Sequence, residues 1–185
     1  MLSVLLFILL GMAAIVVQMA LPEFYTVLGG GFTTVLPSGG EPLLYMVVLV
    51  AAAMKLGDWR ALVVAAVLGI CFDLVTPNRL GISLLGFSLI TALLISQANT
   101  RLGRHLIYQV LLALVAAFLY QTFSYILVSI QLWRWRWPLN VWAIIVVSSL
   151  LTAALYAVIG LGAALLKRRR RPHTAHETPP SYAHR

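Results

Sequence analysis

Charged side chains are scarce in this sequence, and acids are scarcest. Only 10% of the 185 residues are charged, and just five are Asp or Glu. A soluble domain has about 25% charged and roughly 45–50% apolar residues, whereas this chain is 62% hydrophobic. A water-soluble fold of this length has no interior large enough to hide that surface, so the solvent for most of the chain must be lipid. The single cysteine, Cys71, lies in an apolar segment. It excludes an intramolecular disulfide and a cysteine zinc cluster, and reads as a small buried hydrophobe. Histidine is missing from the apolar segments: His105 is in a connection, and His173, His176 and His184 are in the tail, too loosely placed for a metal site. Asp73 is the one acid inside an apolar segment. A His-based nucleophile or a two-carboxylate site therefore lacks its second member. The expectation is a protein that is not an enzyme and needs no metal or cofactor.

What is present is six apolar runs: Leu2–Leu21, Leu43–Leu56, Ala61–Thr76, Ile82–Gln97, Leu106–Leu132 and Leu139–Leu166. In lipid each must be helical, because backbone groups there need internal partners. The first lacks the basic start of a cleaved signal and is long enough to span, so it reads as an uncleaved helix. The second and third are short. A re-entrant hairpin would bury Lys55, Asp58 and Arg60 at its tip, at about 2.5–3.5 kcal/mol per charge. Two short crossings cost less. The expected fold is all-α: a six-transmembrane-helix bundle over residues 1–166, followed by a basic, disordered tail over 167–185.

The net charge of +8 suggests nucleic acid only until its position is considered. Lys167, Arg168, Arg169, Arg170 and Arg171 form one run directly after an apolar segment, so they read as a membrane-orienting anchor that attracts anionic lipids. With both termini in the cytoplasm, 10 Lys and Arg fall inside and 3 outside, which the positive-inside rule favours. The first connection, Pro22–Pro42, holds three consecutive glycines without the Lys-Ser/Thr of a phosphate loop, so it reads as a flexible turn.

Several residues stand out as structural or partner contacts. Asp73 is near the end of the third helix. It could cap a turn through backbone N–H groups of Pro77–Gly81, pair with Arg79, touch a partner or serve as a proton site. Ala61, Ala65, Gly69 and Asp73 recur at steps of four, a small-residue stripe suited to internal packing or a partner interface. Gln109, Gln121 and Gln131 read as interhelical glue. Trp133, Trp135 and Trp137 alternate with Arg134 and Arg136 as an aromatic belt or a docking surface.

The stretch from Glu41 to Ile90 resembles the family of the rod-shape-determining membrane protein MreD. Its pattern is a Pro opening helix two, a Gly-rich helix three ending in G-x-x-x-D-L, and a short turn ending in Leu-Gly. Those positions here are Pro42, Gly69, Asp73, Leu74, Leu80 and Gly81. Ala65 departs from the pattern, a further Gly being common there. The resemblance implies a non-enzymatic scaffold in the bacterial cytoplasmic membrane, acting in cell shape and lateral peptidoglycan synthesis. Its implied partners are a bitopic MreC-like protein, the actin-like MreB and a glycosyltransferase–transpeptidase pair. It also implies a bundle similar to the membrane substrate-binding components of energy-coupling-factor vitamin transporters, which supply the alternative function.

Overall fold

The computed structural model describes residues 1–27, 43–75, 81–100, 102–131 and 139–169. Among these the chain forms six α-helices and no strand: α1 Leu2–Val27, α2 Leu44–Leu56, α3 Trp59–Val75, α4 Ile82–Ala98, α5 Leu106–Gln131 and α6 Leu139–Arg169, with a 3₁₀ turn at Leu102–Arg104 before α5. Three segments are long and apolar enough to cross a membrane: Leu2–Ala20, Leu106–Leu127 and Val141–Lys167. The helices α2 and α4 are apolar but shorter.

Three boundaries differ from the hydrophobic runs by two residues or more. The helix α1 continues past Leu21, through Pro22, to Val27. A proline removes one backbone donor but does not oblige a helix to end. α3 starts at Trp59 instead of Ala61, because Asp58 Oδ1 accepts the Arg60 N–H at 2.9 Å and caps the first turn. α6 runs beyond Leu166 into Arg169. Lys and Arg are good helix formers and favour the negative end of the helix dipole, so basic residues extend the helix.

The shortest helix is the hub. α2 packs against all five other α-helices, while α1 lies at the edge against α2 and α3. Met46, Leu49, Val50, Ala52 and Ala53 of α2 are fully buried. At about 1.5 Å per residue, its 13 residues span roughly 20 Å, less than the ~30 Å apolar layer of a bilayer. Its start lies beside the middle of the 31-residue α6, where Thr152 Oγ1 accepts the Leu43 N–H at 2.9 Å. From α1, Gln18 Oε1 accepts the Leu44 N–H at 3.0 Å. The end of α2 is Gly57 at φ 62, ψ 9, whose N–H bonds back to the Ala53 carbonyl. This left-handed position is one that only glycine adopts readily.

Glutamines and hydroxyls tie the other long helices. Gln109 donates to the Gly103 carbonyl at 2.8 Å and accepts from Tyr156 OH at 3.1 Å, joining α5 to the preceding turn and to α6. Tyr108 OH donates to Gln97 Oε1 at 2.8 Å, joining α5 to α4. Gln121 donates to Ser148 Oγ, joining α5 to α6.

Replacing Thr152 by Val, or Gln18 by Leu, strips an acceptor from the start of α2. Each should lower stability by about 1–3 kcal/mol, the usual cost of an orphaned buried donor. Ser96→Ala, at an exposed position bonded only to its own helix, should stay within about 0.5 kcal/mol. Unfolding in mixed micelles of increasing denaturing detergent measures all three.

Candidate functional site at Gly69 and Asp73

The first turn of any helix presents backbone N–H groups without intrahelical partners. α4 has no capping side chain at its own start, where Gly81 sits at φ 83, ψ −13. Asp73 of α3 supplies the acceptors. Its Oδ2 accepts the Gly81 and Leu84 N–H groups, each at 3.0 Å, and its Oδ1 accepts the Ser83 N–H, also at 3.0 Å. The carboxylate is 6% exposed. A negative group at a helix N-terminus adds attraction to the dipole of about 0.3–1 kcal/mol, more when partly buried.

Gly69 makes this contact possible. A Cβ built there would lie 2.6 Å from Leu84 Cα, 2.9 Å from Leu84 N and 3.0 Å from Ser83 O. All three are backbone atoms, which cannot rotate aside. One helical turn therefore separates the residue that admits the α4 backbone from the residue that binds it. Ala61 and Ala65 continue the stripe and are fully buried within the bundle. Of all helix pairs, α3 and α4 share the most extensive contact.

Beside this junction lies an aromatic quartet from four helices. Tyr45 of α2 meets Phe72 at 4.9 Å, Phe87 at 5.2 Å and Tyr120 at 5.8 Å between ring centres. Phe87 and Tyr120 are 5.0 Å apart. Offset and edge contacts at such distances are favourable beyond simple burial. The Tyr120 hydroxyl lies 3.2 Å from Ser83 Oγ, so α5 is hydrogen-bonded to the same turn of α4 that Asp73 caps. Gly86 provides clearance for this ring, since a Cβ there would be 3.1 Å from two Tyr120 ring carbons.

The structure thus brings together Gly69, Asp73 and Gly81 among the residues marked in the sequence. Pro42, Arg79, Leu80, Trp133, Trp135, Trp137, Arg170 and Arg171 lie outside the described residues. Lys167 is exposed near the end of α6, and Arg168 and Arg169 form its last residues. In the sequence the candidate donors to Asp73 are the N–H groups of the Pro77–Gly81 turn and the Arg79 side chain. Gly81 of that turn is one donor in the structure, and the other two belong to the first turn of α4. Ser83, Tyr45, Phe87, Gln18 and Thr152 were missed. In a membrane sequence a lone Ser, Thr or aromatic is too common to mark a site, although Gly86 inside an apolar helix does signal a close approach.

Over residues 1–159 the chain matches the family model described as rod shape-determining protein MreD. It belongs to the MreD family. No curated protein and no solved structure matches it significantly. Membership implies a role in determining rod shape, and with the long apolar helices it supports a membrane protein. Among the described residues there is no group of three His, Cys, Asp or Glu able to hold a metal ion. Chemically, the Asp73 carboxylate is engaged on both oxygens. Taking up a proton or a ligand there would release donors at the start of α4.

Gly69→Ala should destabilise by about 1–3 kcal/mol through overpacking against fixed backbone, whereas Gly162→Ala, facing open space, should be neutral or better. Asp73→Asn looks conservative by shape but turns an NH₂ group toward N–H donors. It should therefore cost about 1–3 kcal/mol, with Asp73→Leu costing at least as much. Gly81→Ala meets no neighbour and should still lose about 1 kcal/mol from its left-handed backbone. Membrane abundance and unfolding midpoints of the five variants test the set.

Proposed function

We propose that this member of the MreD family is a non-enzymatic membrane scaffold of the bacterial elongation machinery, serving lateral peptidoglycan synthesis by association with an MreC-like bitopic protein. The observation that carries this reading is the use of the one membrane-embedded carboxylate. In a catalyst or a proton carrier such a group faces a substrate or a water path. Here both oxygens of Asp73 are directed at the backbone of α4, which is the work of a fixed strut. Gln109 and Gln121 of α5 likewise join it to α6. Such a bundle presents a rigid surface on which other membrane proteins assemble.

The proposal includes six crossings in the bacterial cytoplasmic membrane with both termini in the cytoplasm. The basic balance of the connections supports it, and so do the exposed Lys55 and Arg60 at the turn between α2 and α3. The bacterial glycosyltransferase–transpeptidase pair and MreB are further partners under this reading, reached directly or through the MreC-like protein. Trp133, Trp135 and Trp137, next to Arg134 and Arg136, are the docking residues we favour, since Trp and Arg are frequent interface hot spots.

Two measurements test the reading. Purified in mild detergent, the chain should carry an MreC-like protein with it, and a triple Trp133→Ala, Trp135→Ala, Trp137→Ala variant should retain less while remaining abundant. Tight binding of a vitamin without that association would support the transporter alternative and end the scaffold reading. Reporter fusions after Arg171 and within 55–60 should report cytoplasm, and fusions at 77–79 the outside. A cytoplasmic report from 77–79 would contradict six crossings.

A further inference from the structure

We infer that the groove between the N-terminal ends of α1 and α3 is a binding site for one anionic phospholipid. The groove has a volume of about 630 Å³. Its walls are Leu2, Leu5 and Ile8 from α1 and Val63 from α3, with Trp59 and Arg60 at the end nearest the α2–α3 turn. Leu2, Leu5 and Trp59 are more than half exposed, so the walls are completed by whatever fills the groove. An apolar trough that ends at a tryptophan and an arginine matches the layering of a lipid molecule. Acyl carbon occupies the trough, glycerol lies at the tryptophan, and phosphate meets the guanidinium.

Charge selects the occupant. Lys55 and Arg60 flank the turn and both are exposed, with Asp58 the one acid between them. Asp58 Oδ2 stands 3.6 Å from Arg60 Nε. A guanidinium has five N–H donors, so one carboxylate leaves capacity for a phosphate. A purely apolar partner helix would leave those donors unmatched. A zwitterionic lipid would bring a second cation toward a turn that is already net positive. An anionic headgroup such as phosphatidylglycerol satisfies both ends. This site is separate from the basic tail after α6, and it does not depend on the scaffold reading.

The test uses the full chain purified in neutral detergent, with native mass spectrometry counting the lipids retained after titration with phosphatidylglycerol or phosphatidylcholine. One phosphatidylglycerol should be held under conditions that strip phosphatidylcholine. Arg60→Gln, which changes only an exposed side chain, should weaken retention about tenfold, the scale of one charge-assisted hydrogen bond. Val63→Trp and Leu5→Trp, both at partly or largely exposed positions, should fill the trough and displace the lipid. A variant with Lys167–Arg171 replaced by Gln should retain it. Equal retention of the two lipids would overturn the assignment, as would wild-type retention by Arg60→Gln. Loss of phosphatidylglycerol only on replacing the tail would place the lipid there instead. If Val63→Trp releases a co-purifying protein while phosphatidylglycerol stays bound, the groove holds a partner helix and not a lipid.

Discussion

The structure depends on one constraint: a helix that begins inside an apolar bundle must find acceptors for its first N–H groups within the protein. Water at a soluble helix end would supply them, but hydrocarbon cannot. α2 and α4 are both short, at 13 and 17 residues, and neither has a capping side chain at its own start. Their donors are completed from elsewhere, by Gln18 and Thr152 for α2 and by Asp73 for α4. α2 is thereby fixed to α1 and α6, which are long enough to span on their own, and α4 is fixed to α3.

This arrangement explains why the shortest helix is central. Packing α2 against five neighbours buries seven of its 13 residues, and side chains from both α1 and α6 hold its start in place. The aromatic quartet then joins α2 to α3, α4 and α5 close to the Asp73 junction. Hydrogen bonds set the register of helix ends, and ring contacts and small residues set the spacing between axes. Lipid gives no hydrophobic drive between helices, so close packing and interhelical bonds must supply it.

Such construction suits an assembly role. Gln18, Asp73, Gln109 and Gln121 are bonded inside the bundle, and apolar outer faces remain on α1, α5 and α6 for lipid or for other membrane proteins. Among the described residues α1 packs chiefly on α2 and α3, so much of its circumference remains available.

Much was legible in the residues alone. The scarcity of charge required lipid as solvent, and the apolar runs located all six helices because lipid permits a backbone no other open form. The step of four from Gly69 to Asp73 placed both on one stripe, and lone acids in such segments are costly enough to stand out. Boundaries were less legible at Pro22, Asp58 and Lys167, where capping and helix propensity outweigh hydropathy. What only the tertiary structure decided is where the acceptors point. Asp73 is used by residues 8 to 11 positions later, and Leu43 is met by Thr152, 109 positions away. No local pattern encodes such pairs, because they arise from the packing of whole helices. For the same reason Asp73, which in sequence left room for a proton site, is in the fold the cap of a neighbouring helix.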